Sequence, residues 1–281
     1  MKLYTYILLL FLGSSISLHL RAQSDYQKLA DIAYSKESKD NTFDAYIPKD
    51  YKQAKVIVYL HGSGWTGGDK DEFPIQLVEE LVAKRKYIVV SANYRLIKDG
   101  KNRFPTQMED VKTLLAFLSK QASKFNFDGS SFALMGGSAG GHLALLYAYG
   151  YDSDKQVKTV VDFWGPTDFT NLAERTANAE ANEKIVNLLG EPDAKAAVNT
   201  VASPIHRLTK DTGIPTLLFH GGKDPLVPVD QANRLYKKLQ DLGIPSEYNY
   251  YENEKHGMKG IAALNVLNKT INWLERYFPA K

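Results

Sequence analysis

Ser138 lies in Met135-Gly136-Gly137-Ser138-Ala139-Gly140-Gly141, between the apolar run Phe132–Met135 and the helical pattern Gly140–Tyr149. This is G-x-S-x-G across a predicted strand–turn–helix, the setting that lifts a serine hydroxyl onto a tight turn. Small flanking residues are required there, because a side chain on either glycine would strike the adjoining strand or helix. The free N–H groups of the helix start also favour negative charge beside the hydroxyl. A serine is a weak nucleophile until a base takes its proton. Of six histidines, His19 falls in an N-terminal apolar segment, while His61 and His220 end apolar runs. His142 sits one turn into the helix after Ser138, and His206 lies in a polar insertion. His256, next to Gly257 in the polar loop Tyr251–Met258, is placed to approach Ser138 from a late loop. An imidazole base needs an acid to orient it. Asp224, in His220-Gly221-Gly222-Lys223-Asp224-Pro225-Leu226-Val227-Pro228, lies in another loop at the carboxyl end of a predicted strand. Together Ser138, His256 and Asp224 could carry out nucleophilic acyl transfer.

That chemistry needs N–H donors for the oxyanion. One expected donor is Ala139, directly after the nucleophile. The others are Ser63 and Gly64 in His61-Gly62-Ser63-Gly64-Trp65, which follows the apolar run Val56–Leu60. The same loop matches the dinucleotide pattern G-x-G-x-x-G, from Gly62 to Gly67. A nucleotide site would need a helix opening within the motif, and Gly68-Asp69-Lys70-Asp71-Glu72 and Pro74 read instead as loop. No HExxH, phosphate-binding loop or close histidine–carboxylate cluster is present, so neither a metal nor a cofactor is expected. The chain has no cysteine, which removes thiolate nucleophiles, disulfides and Cys-bound metals.

The elements that must position these residues alternate. Strands are expected at Val56–Leu60, Tyr87–Ala92, Phe132–Met135, Val157–Phe163, Thr216–His220 and Glu247–Tyr251. Helices are expected at Ile75–Lys84, Thr106–Lys124, Gly140–Tyr149, Asp230–Leu242 and Gly260–Tyr277. Near-continuous apolar, β-branched strands suit a parallel sheet buried on both faces. The alternation predicts a single doubly wound, mostly parallel α/β domain over residues 23–281, with Leu29–Ile47 as an antiparallel hairpin at one edge. The polar stretch Pro166–Thr212, with a short helix around Ile185–Leu189, interrupts the rhythm after the strand ending near Trp164. It is expected to overhang the sheet's carboxyl edge as a small lid or pocket wall.

Across 281 residues, 44% are hydrophobic and 24% charged, an ordinary globular balance. The formal net charge is +3, and Lys2 and Arg21 of that excess lie in an N-terminal segment without acids. A near-neutral body makes nucleic acid an unsuitable partner. Met1–Gln23 has a basic start, an apolar heart at Ile7–Leu12 and a small residue at Ala22, the layout of a secretory signal peptide cut after Ala22. The apolar run is too short for stable membrane insertion, so a periplasmic or secreted protein is expected. The sequence carries no signal for an oligomeric state.

These motifs resemble the hormone-sensitive-lipase-like branch of the α/β-hydrolase superfamily, most nearly small bacterial carbohydrate esterases of the acetylxylan and feruloyl type. The resemblance rests on HGSGW (His61–Trp65), NYRL (Asn93–Leu96), FPTQMEDVKTLLAFL (Phe104–Leu118), GGSAGGHLALL (Gly136–Leu146), FWGPTDF (Phe163–Phe169), ASPI (Ala202–Ile205), HGGKDPLVP (His220–Pro228) and KHG (Lys255–Gly257). The order Ser138, Asp224, His256 is the nucleophile–acid–base order of that fold. Two positions depart from it: Ser63 stands where such families usually have Gly, and Gly137 where lipase-like relatives often carry an acid. The resemblance implies a secreted serine esterase acting on a small-molecule or polysaccharide ester, with acetyl or hydroxycinnamoyl groups favoured over long acyl chains. Trp65, Trp164 and Phe169 are candidate stacking surfaces for a sugar or phenolic ring. The alternatives are an amidase or peptidase (arylformamidase-like) using the same three residues, a general carboxylesterase or lipase, and a catalytically silent binding protein.

Overall fold

Strand β3 (Ala54–Leu60) shows how the core is divided. Val56, Val58 and Leu60 face one buried cluster, and Ile57 and Tyr59 face the other, the two-residue alternation of a strand covered on both sides. The computed structural model describes residues 25–280; the expected signal peptide lies outside the described residues. Within them, β3 belongs to a single sheet with β1 (Tyr26–Ala33), β2 (Thr42–Pro48), β4 (Ile88–Ala92), β5 (Phe127–Gly137), β6 (Val157–Phe163), β7 (Thr216–Gly221) and β8 (Ser246–Tyr251). The order is β1-β2-β4-β3-β5-β6-β7-β8. The β1–β2 edge is antiparallel, as is the pairing of β2 with β4. From β4 through β8 every pairing is parallel. The expected mostly parallel α/β sheet with an antiparallel hairpin at its edge is the observed one.

One face is covered by α2 (Thr106–Phe125), α3 (Ala139–Gly150) and α8 (Val229–Asp241). Met108, Val111, Leu114, Leu115 and Leu118 of α2 are buried at helical spacing. The other face is covered by α1 (Ile75–Leu77), its continuation Val78–Lys84, and α9 (Gly260–Tyr277). The sequence suggests an ordinary helix over 75–84. Val78–Lys84 instead winds as the wider π form, and Val78, Leu81 and Val82 are all fully buried by it.

The insertion is more helical than its polar sequence suggests. It holds α4 (Leu172–Ala177), α5 (Ala179–Leu189), α6 (Ala197–Val201) and α7 (Pro204–Arg207). Asn171 and Asn178 start the first two by accepting from the N–H groups of Glu174 and Ala181, as asparagine does at helix N-caps. Arg175 is buried at the centre of the segment and donates to the side chains of Asn182 and Asn199. No helix among the described residues is long and apolar enough to cross a membrane.

Candidate active site

Ser138 joins β5 to α3 with φ 52° and ψ −117°, a strained conformation for a non-glycine residue. The turn is held in place because Ser138 N–H donates to the Phe163 carbonyl at 2.8 Å and its own carbonyl accepts from His142 N–H at 3.0 Å. Glycine is required beside it: a Cβ on Gly136 would run into Gly140, and one on Gly140 would run into the Leu60 carbonyl oxygen. Strand and helix can cross this closely only without those carbons.

His256 reaches Ser138 from the loop after β8. Its Nε2 is 2.8 Å from Ser138 Oγ, and its Nδ1 is 2.8 Å from Asp224 Oδ2. Asp224, in the turn after β7, has a fully buried carboxylate. Its Oδ1 accepts from the N–H groups of Leu226 and Val227 at 2.8 and 3.0 Å. Burial pushes this carboxyl up, but the donors from His220, His256 and Val227 outweigh it and hold it well below the usual carboxylate range. A carboxylate can only accept, so Nδ1 of His256 carries the hydrogen and Nε2 is left to accept from the serine hydroxyl.

The remaining described histidines make their hydrogen bonds and ring contacts with residues other than Ser138. His61 is buried and stacks on Tyr94, with ring centroids 4.4 Å apart. His142 is fully buried and donates to the Ala202 carbonyl at 2.8 Å. His206 lies 3.2 Å from Thr170 Oγ1 in the insertion. His220 stands behind Asp224 and donates to the Val227 carbonyl at 2.9 Å.

A cavity of about 530 Å³ opens over Ser138 and His256, within the range of small-molecule sites. Ser63, Gly64, Ala139, Trp65 and Trp164 line it. The loop carrying the oxyanion candidates runs close to the nucleophile, since a Cβ on Gly62 would lie 3.5 Å from Ser138 Cβ. Ser63, Gly64 and Trp65 have φ of 70°, 63° and 60°, three successive left-handed residues. Tyr94 braces this loop by donating to the His61 carbonyl at 2.9 Å. Tyr94 belongs to the NYRL segment, but nothing in its residue type announces that bracing. The far wall comes from the insertion: Glu174, Glu180, Asn182, Lys184 and Ile185, with Gln231 of α8 beside them.

Of the three aromatic candidates, the structure brings only Trp164 to the site with a partly exposed ring, 6.4 Å from the His256 ring and edge-on to it. Phe169 is fully buried and does not reach the cavity. Trp65 is 3% exposed and packs edge-on against both His142 and Phe169, at 5.2 and 5.9 Å. Phe169 is therefore a core residue, whereas Trp65 lines the cavity with a ring packed almost wholly into the core. The insertion folds over the buried His142, and these rings fill the space beneath it.

Comparison with known proteins places this geometry in a family. The chain is 31% identical over 239 residues to the "Probable carboxylic ester hydrolase LipM" of Mycobacterium tuberculosis, covering 79% of this chain and 54% of that protein. It is 29% identical over 224 residues to "Esterase LipC" of the same organism, covering 74% and 54%. The chain thus spans about half the length of the curated relatives it matches. Among solved structures, a truncated carbohydrate esterase from gut microbiota superposes with TM-score 0.78 at 22% identity, over 91% of this chain and 98% of that one. A bifunctional GH43-CE protein of Bacteroides eggerthii gives TM-score 0.76 at 26% identity, over 89% of this chain and 35% of that one. The family described as BD-FAE matches residues 43–239, and the chain, with its α/β-hydrolase fold, belongs to that family.

Proposed function

We propose that this chain is a serine esterase in which Ser138, His256 and Asp224 form the catalytic triad. The observation that carries the reading is the unbroken chain Ser138 Oγ–His256 Nε2, His256 Nδ1–Asp224 Oδ2, each link 2.8 Å. Ser138 Oγ attacks the ester carbonyl carbon as its proton passes to His256 Nε2, and Asp224 stabilises the imidazolium. The carbonyl oxygen, now negative, accepts from the N–H of Ala139 and from Ser63 and Gly64. His256 returns the proton to the leaving alcohol. Water then repeats the sequence on the acyl-enzyme and frees the acid and Ser138. No step calls on a cofactor or metal.

The substrates we infer are short-chain or hydroxycinnamoyl esters of carbohydrates. The polar wall of Glu174, Glu180, Asn182, Lys184 and Gln231 suits a hydroxyl-rich alcohol, and Trp164 offers a ring face beside His256. The truncated carbohydrate esterase from gut microbiota that shares this fold agrees with that choice. We further infer export, from Met1–Ala22; sequencing of the exported protein should begin at Gln23. The test of substrate class is a series of p-nitrophenyl esters from acetate to dodecanoate, run beside acetylated xylan and methyl ferulate. Release from either plant-type substrate, with kcat/KM falling at long chains, is expected. A steady climb to dodecanoate with no release from either would overturn the carbohydrate assignment.

A further inference from the structure

A second cavity, of about 400 Å³, lies on the other side of Trp164, between α1 and the first turns of α9. Its walls are largely apolar: Pro74, Leu77, Phe163, Met258, Leu264 and Leu267. Tyr59, Gly137 and Trp164 border both cavities, so the two adjoin next to the residue that precedes the nucleophile. Gly137 places no side chain between them. A Cβ placed there would find only the Tyr59 hydroxyl within 4 Å, at 3.6 Å, so a larger side chain is absent where the strand has room for one. The outer end reaches solvent at Leu264, which is 58% exposed.

We propose that this second cavity binds the apolar part of the acyl group, a phenyl-type ring above all, while the alcohol lies in the first cavity against the insertion. The proposal rests on the esterase reading and deepens it. An ester held at Ser138 must send its two halves in different directions, and the two cavities differ in kind. A sugar alcohol finds hydrogen-bond partners along Glu174, Glu180, Asn182, Lys184 and Gln231. Burying those hydroxyls among Leu264, Leu267 and Met258 would leave them unpaired, at a cost that an aryl ring does not incur. The ring in turn gains by leaving water, and Trp164, Tyr59 and Phe163 supply aromatic surface for it. Its route passes Gly137.

The test keeps the alcohol constant. Methyl acetate and methyl cinnamate are compared in the native enzyme, in Leu264→Trp at the exposed mouth and in Leu267→Trp deeper in. The ratio of kcat/KM for cinnamate over acetate should fall at least tenfold in both variants, mainly through KM. A ratio within twofold of the native one in the folded Leu264→Trp protein would overturn the cavity assignment and leave the esterase reading standing. Phenyl acetate forms the control arm. If the variants depress its turnover and spare methyl cinnamate, the ring belongs to the alcohol and the acyl assignment fails. A native enzyme that cleaves none of the three esters would overturn the esterase reading and this proposal with it.

Discussion

His220 Nε2 lies 3.4 Å from Asp224 Oδ2, so the carboxylate that faces His256 at 2.8 Å has a second imidazole behind it. The same Nε2 is 2.9 Å from the Val227 carbonyl. A carbonyl can only accept, so Nε2 carries the hydrogen and shares it between the carbonyl and the carboxylate. Nδ1 is buried with no hydrogen-bond partner among the described residues. His220 is thus a positioning residue for Asp224. His220→Leu should lower kcat about tenfold with KM little changed, the worth of one hydrogen bond to a charged group. His220→Gln, which keeps a donor, should recover most of it. Equal losses in both variants would mean that His220 only fills space.

Removing the nucleophile should be far more costly. Ser138→Ala should reduce ester turnover by on the order of 10⁴-fold or more while the melting temperature stays near native, and Asp224→Asn should come close to it. Stopped assays with a chromogenic acetate measure both. A tenth of native activity in Ser138→Ala would remove Ser138 from the mechanism.

Two buried groups near the nucleophile turn give opposed pH dependences of stability. Burial raises Asp162 from 3.8 to about 7, so the folded protein retains a proton that the unfolded chain releases. That contribution makes stability fall as pH rises from about 4 to 7. Burial lowers His142 from 6.5 to about 4, so the unfolded chain takes up a proton that the folded protein refuses. That contribution makes stability fall as pH drops over nearly the same window. Asp162→Asn keeps an oxygen to accept from Gly165 N–H, now at 3.0 Å, and removes the first slope. Its melting temperature should rise at pH 8 and decline from pH 6.5 toward 4 more steeply than native. Thermal melts from pH 4 to 8 check this; curves parallel to native at every pH would refute it.

Phe169 and Trp164 should respond in opposite ways to truncation. Phe169→Ala empties a fully buried site and should cost about 3–5 kcal/mol in a denaturant melt. Trp164→Ala should cost less stability but raise KM for aromatic and sugar esters several-fold. A KM effect from Phe169→Leu equal to that of Trp164→Ala would restore Phe169 as a substrate contact.

The sheet and the cluster at Ser138 were legible because their signals are local. Buried parallel strands read as continuous apolar runs, and Ser138 and Asp224 each sit just beyond one, while His256 follows the half-exposed tyrosine-rich edge strand β8. Fold topology then brings those loops to one edge. The insertion was less legible because its helices are started by Asn171 and Asn178 within a polar run, where periodicity is weak. Phe169 was misread because an aromatic residue near a site looks the same in sequence whether its ring faces ligand or core. Tyr94 and Lys184 had no signal of their own. His220 had one, its four-residue spacing from Asp224, which the search for a base passed over. The second cavity forms between segments more than 180 residues apart, around Leu77 and Leu264, and no local pattern encodes it.

Arg175 ties parts of the insertion to one another, through Asn182 and Asn199. The insertion's ties to the rest of the chain include Gln231, whose side chain accepts from Thr167 N–H at 2.8 Å, and Arg234, which pairs with Asp168 and Glu174. Ser138, Asp224 and His256, the proposed triad, all lie outside it. A different segment grafted between β6 and β7 would therefore need matched partners at 231 and 234, an acceptor for His142 and apolar residues for the core around Leu188 and Ile205; on the esterase reading, it would change which alcohols are admitted while Ser138, Asp224 and His256 stay in place.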